Sequence, residues 1–134
     1  MDNKLRIVVA LILTAIFSVA GCGGGDGGGG TAFPAKTLSW VPPSVYTDST
    51  PLNPSSDLDV FEIYVTTSES FSATDSPMAT LKAVDADTGQ LSTSISLDNL
   101  GPYFSKGVTY FISVRTVAKN SLKSDFANPV SFSF

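Results

Sequence analysis

Between positions 23 and 30 the chain carries seven glycines and Asp26, and no other stretch limits its fold so strongly. Such a tract has almost no side chain to bury and the largest backbone entropy to lose on ordering, so it cannot belong to a packed element. It divides the sequence into a leader and a body, 31–134, in which only Gly89, Gly101 and Gly107 recur. As a flexible tether it has a typical span of about 16 Å and a fully extended reach of about 27 Å. A glycine-rich stretch also cradles phosphate in some folds, but that arrangement puts a Lys-Ser/Thr pair directly behind the glycines at the start of a helix, and here Gly30 is followed by Thr31-Ala32.

The leader has the three parts of an export signal. Lys4 and Arg6 precede an apolar run from Ile7 to Val19 that only Thr14 and Ser18 interrupt. That run is shorter than the ~20 residues of a spanning helix and has the length of a signal h-region. It ends in Val19-Ala20-Gly21-Cys22, which resembles the lipobox of bacterial lipoproteins. The resemblance implies that Cys22 is thioether-linked to diacylglycerol and becomes the first mature residue. Residues 1–21 are then a helical signal peptide, 22–35 the lipidated Cys and its tether, and 36–134 the folded domain.

Two rival readings of this segment are a plain secretory signal cut elsewhere and a buried helix with a core Cys. The N-terminal position, the small residues before Cys22 and the glycines after it count against the second. Burial of acyl chains at ~0.8 kcal/mol per CH₂ makes two or three chains a lasting anchor. The expected location is the cell envelope, by export and lipid anchoring. Gly23, where some lipoproteins carry Asp, resembles an outer-membrane address in a cell with two membranes.

Composition narrows the chemistry. The chain has no His and one Cys, so His/Cys zinc sites, haem ligation by His, the Ser-His-Asp triad and the Cys-His dyad each lack a part. Removing residues 1–21 takes the side-chain net charge from −4 to −5. An acidic domain with scattered Lys and a single Arg has no footprint for nucleic acid, and anionic lipid would repel it mildly. Attachment to membrane therefore falls to the acyl group.

The body reads as all-β. Apolar residues recur with period two in short runs, separated by turn-forming clusters, and no stretch sustains helical spacing. Leu38 and Trp40 share one face, and Pro42-Pro43 then stops ladder pairing. A long proline-bearing connection leads to Phe61, Ile63 and Val65, which alternate with Glu62, Tyr64 and Thr66. A weaker strand covers Ala79 to Val84. Leu91, Thr93, Ile95 and Leu97 alternate with serines and read as one half-buried strand. Tyr110, Ile112 and Val114 point inward, and Val130, Phe132 and Phe134 form the last run. A sandwich of six or seven strands is expected.

The order of these landmarks resembles a fibronectin type III domain, an immunoglobulin-like β-sandwich. The carrying residues are Leu38-Ser39-Trp40 with Pro42-Pro43, Phe61-Glu62-Ile63-Tyr64 in the place of strand C, Leu100 with Thr109-Tyr110 and Val114 around strand F, and Ser124 before the final strand. The match covers roughly 36–134 and is similar to small lipid-anchored type III domains with a Gly-rich leader. It implies that Tyr110 is a tyrosine corner and that strands C and F are neighbours. Two departures stand out. Only Thr31 to Ala35 is left for strand A, and Pro34 cannot donate to a ladder. The connection from Leu100 to Tyr110 is also enlarged.

Several residues are candidates for chemistry or recognition. Asp85 and Asp87 before Gly89 look like the opening of a calcium loop, but Ser96 stands where a bidentate acid is wanted, so a solvated hairpin turn fits better. Asp57, Asp59 and Glu62 show no burial pattern that would suit general-acid work. Trp40 falls on an inward face. Alternation turns Tyr64, Phe111 and Arg115 outward on neighbouring strands, either as cross-strand packing or as a partner surface rich in Tyr, Phe and Arg. Tyr103 and Phe104 lie on a Gly-bounded loop, for binding or for capping the sandwich.

The expectation is a non-catalytic, lipid-anchored binding or structural module with a protein partner and no cofactor. The second reading is a carbohydrate-binding module that stacks exposed aromatics on sugar rings. If strand A is missing, the strand of Leu38 becomes a sheet edge open to strand addition.

Overall fold

The computed structural model describes residues 14–16 and 36–134. Cys22, the glycine tract and the segment 31–35 lie outside the described residues. Those described fold into β1 (Thr14–Ile16), β2 (Thr37–Ser39), a helical turn α1 (Pro54–Asp57), β3 (Leu58–Thr66), β4 (Ala79–Lys82), β5 (Ser94–Ser96), a 3-10 helix (Leu97–Tyr103), β6 (Thr109–Ala118) and β7 (Val130–Ser133). All strand pairs are antiparallel, in a three-stranded sheet ordered β1-β2-β5 and a four-stranded sheet ordered β4-β3-β6-β7. The described residues are thus all-β, two antiparallel sheets with almost no helix. Among the described residues no helix is long and apolar enough to cross a membrane.

The core sits between the sheets. Leu38 comes from the smaller one, with Trp40 directly after β2, and Phe61, Ile63, Ile112, Val114 and Phe132 from the larger. Trp40 meets Phe61 edge-on at 5.2 Å between ring centroids. Period-two alternation sends Phe61 and Ile63 inward, yet Leu58, of opposite parity, is buried too. The cause is a register shift between Leu58 and Val60 against β6. One extra residue in a strand flips every side chain beyond it to the other face.

Two expectations need correction. Residues 91–97 are not one continuous strand. Ser92 N–H donates to Ala83 O and Val84 bridges Leu91, whereas Trp40 N–H donates to Thr93 O. The run therefore changes partners midway, leaving Thr93 exposed, and Leu97 opens the 3-10 helix. The leader is not helical throughout, because Thr14–Ile16 is a strand. Thr and Ile are β-branched and suit an extended ladder. In the structure the Leu38 strand is paired on both sides. It lies between β5 and β1, with Ala15 opposite Leu38.

The enlarged connection before β6 closes one end of the sandwich. Tyr110 accepts a hydrogen bond from Ser105 N–H at its hydroxyl, 2.9 Å, which ties the start of β6 to the backbone of the preceding loop. Phe104 packs against Tyr110, Phe132 and Phe134 with centroids 5.0, 5.2 and 5.5 Å away.

Candidate functional site

The outer face of the larger sheet is where alternation gathers the sequence candidates. Cross-strand pairing sets Glu62 opposite Arg115, Tyr64 opposite Ser113 and Thr66 opposite Phe111. What covers this face is the chain returning after β6. Ser124 N–H donates to Thr116 O and Ala127 N–H to Val114 O. Three residue steps on the returning segment therefore match two on β6, and the surplus residue makes a bulge.

Phe126, inside that bulge, lies over the outer face. Its ring meets Tyr64 edge-on at 4.9 Å, stacks on Phe71 at 5.5 Å and takes the Arg115 guanidinium at 4.7 Å from its centroid. Arg115 Nε also donates to Ser124 O at 2.9 Å. Ser113 Oγ donates to Ala127 O at 2.7 Å, and the Ser124 hydroxyl accepts from Thr116 N–H while donating to Asp125 O. The Ser113 and Ser124 hydroxyls and Arg115 Nε are thus satisfied within the chain, whereas the buried Thr116 hydroxyl has no hydrogen-bond partner among the described residues.

The consequence corrects two sequence expectations. Tyr64 leaves its strand outward but is only 2% exposed, and Phe104 is 6% exposed because it caps the core. Neither presents a surface. Arg115 is half-buried and engaged. Phe71 and Phe126, which complete this second aromatic cluster, carry no periodic signal in the sequence because each lies in irregular chain.

The cluster has an ionic rim. Tyr64 O–H donates to Glu62 Oε2 at 2.6 Å, and Lys123 Nζ lies 2.8 Å from Glu62 Oε1. Burial first, and then the Glu62 carboxylate, push the Tyr64 phenol up from 10.0 to about 12. Partial burial works against the Glu62 charge, but the bonds from Lys123 and Tyr64 and the charges of Lys123 and Arg115 outweigh it, so the carboxyl sits below its ordinary value.

A pH dependence follows with a definite sign. Below pH 10 the phenol is protonated whether the chain is folded or not. Between 10 and about 12 the unfolded chain releases this proton and the folded one keeps it, so stability falls as pH rises through that window. Glu62 acts oppositely, and its contribution is lost as pH falls below the ordinary carboxylate range. Urea melts across the alkaline range should show the drop, and Tyr64→Phe should flatten it.

Phe111 and Tyr103 remain accessible. Half-buried Phe111 forms part of a groove of about 400 Å³ with Glu69, Asn128, Pro129 and Ser131. An aromatic ring, a proline, an amide, a hydroxyl and one carboxylate suit stacking and hydrogen bonding to a polar ligand or an extended peptide. Tyr103, at the end of the 3-10 helix, is 67% exposed.

Asp85 and Asp87 form a turn. Asp85 Oδ1 accepts from the N–H groups of Asp87 and Thr88 and from the Thr88 hydroxyl at 2.8–3.0 Å, and Gly89 takes a positive φ of 67°. The Thr88 amide, then its hydroxyl and the Asp87 amide, hold the Asp85 carboxyl below its ordinary value. Among the described residues no group of three or more His, Cys, Asp or Glu gathers to hold a metal. No protein-family model, curated protein or solved structure matches this chain.

Proposed function

We propose that the chain is a lipid-anchored, non-catalytic binding module of the bacterial cell envelope, in which acylated Cys22 tethers a fibronectin type III-like domain that engages a protein partner. The observation that carries the binding role is the groove at Phe111, where an aromatic ring stays accessible while its neighbours on the same face, Tyr64 and Arg115, are covered or engaged. Interfaces favour aromatic anchors set in such recesses. Two features support the type III reading. β3 and β6 are the central neighbours of the larger sheet, as strands C and F are in that family, and Tyr110 bonds back to the loop before it as a tyrosine corner does.

The second reading, a glycan-binding module, has one specific feature in its favour. Tyr103 presents its ring to solvent and could stack on a sugar. Glycan-array binding that disappears on Tyr103→Ala and survives Phe111→Ala would favour it. A photo-crosslinker at position 111 that captures one discrete protein in intact envelopes would favour the protein partner.

Anchoring is tested separately. Metabolic labelling with an alkynyl fatty acid should mark the natural chain, and Cys22→Ser should abolish the label and leave an uncleaved or differently cleaved precursor. Label on the substituted protein would overturn the anchor. In a host with two membranes the labelled chain should fractionate with the outer one.

A further inference from the structure

β2 has two sides, and its hydrogen bonds show which residues serve each. Trp40 N–H donates to Thr93 O at 2.9 Å, and Leu97 N–H donates to Lys36 O at 2.8 Å. Positions 36 and 40 therefore turn their backbone groups toward β5, and the alternation of an antiparallel ladder gives Leu38 the same side. Thr37 and Ser39 must turn theirs the other way, toward β1, where their register partners are Ile16 and Thr14. In the sheet order β1-β2-β5 no other described strand stands on that side of β2. The occupant is thus a piece of the apolar leader, upstream of Cys22.

We propose that the mature domain is a strand acceptor: processing removes β1, and the vacated Thr37/Ser39 edge takes an uncharged extended segment of a partner protein in antiparallel register, a place the leader fills in the precursor. The proposal rests on the reading that the leader is cut off during export. The chemistry of the occupant follows from the strand already seated there. Thr14-Ala15-Ile16 is uncharged and places a small residue opposite Leu38, whose side chain is buried. An acidic strand would meet a domain of net charge −5 and be disfavoured. Main-chain bonds at Thr37 and Ser39 supply affinity, and the position opposite Leu38 supplies selectivity for small side chains.

Amide hydrogen exchange resolved to single residues tests this in three samples: the unprocessed full chain, the processed chain in detergent, and the processed chain with a synthetic peptide covering residues 11–19 between solubilising lysines. Thr37 and Ser39 should be protected in the first, exchange at least about tenfold faster in the second and be protected again in the third. Leu38 and Trp40, bonded toward β5, should stay protected in all three and report that the domain is folded. A peptide carrying Ile16→Pro lacks an N–H needed for the ladder and should not restore protection.

Slow exchange at Thr37 and Ser39 in the processed chain without peptide would overturn the proposal, as would a leader peptide that protects nothing. Protection that instead rises with protein concentration alongside a dimer mass would replace the partner segment by a second copy and overturn the occupant named here. The intact mass of the processed chain separates the two levels. A cut upstream of Cys22 that still removes Thr14–Ile16 would defeat the lipobox reading and leave the strand acceptor standing, whereas a mass that retains those residues would defeat both.

Discussion

Trp40→Ala is expected to lower the unfolding free energy by about 3–5 kcal/mol, the cost of removing a large aromatic side chain from a closed core. Trp40 is 3% exposed and its ring lies edge-on to Phe61 at 5.2 Å, so the vacated space is lined by a fully buried neighbour and by both sheets. A domain of this size has only about 5–15 kcal/mol in hand, which places the variant near its unfolding threshold. Denaturant melts of the two proteins measure the difference.

Trp40→Phe separates packing from polarity. The indole Nε1–H is buried without a hydrogen-bond partner among the described residues. Leaving a donor unsatisfied costs about 1–3 kcal/mol, so exchanging indole for phenyl loses volume and also removes that penalty. Trp40→Phe should lie within about 1 kcal/mol of the unchanged chain. A loss as large as that of Trp40→Ala would mean that the indole N–H has a partner in solution.

Phe104→Ala is expected to cost about 3–5 kcal/mol as well, although the residue sits in a loop. Its ring contacts Tyr110, Phe132 and Phe134, and it is the lid over that end of the core. Tyr103, one residue earlier and two-thirds exposed, should behave oppositely, with Tyr103→Ala within about 0.5 kcal/mol. The contrast tells capping from recognition. A mild Phe104→Ala would mean that the ring does not cap the core and is free to bind, and thermal melts of the pair decide it.

The helical turn α1 falls in what alternation alone reads as a long proline-bearing connection. Asn53 before Pro54 is a cap followed by the residue that best opens a helix, and in the structure Asn53 Oδ1 accepts from Ser55 N–H while Asp57 Oδ2 accepts from Asn53 N–H. The Leu58/Val60 bulge was not legible. A bulge exists only in the relation of one strand to its neighbour, and here the neighbour, β6, lies far along the chain.

The candidate site divides in the same way. Alternation alone determined that Phe61, Ile63, Ile112 and Val114 face one side and that Tyr64, Phe111 and Arg115 face the other, because successive side chains of an extended backbone must point oppositely. The lack of His, with a lone Cys, likewise removed the His- and Cys-based catalytic sets before any fold was known. Which outward residues meet solvent was decided only by tertiary structure. Phe126 and Phe71 arrive from irregular segments to cover Tyr64, and among the described residues none closes the groove beside Phe111. Direction is a local property of the backbone, whereas cover depends on chain that is remote in sequence and is placed by contacts no periodicity encodes.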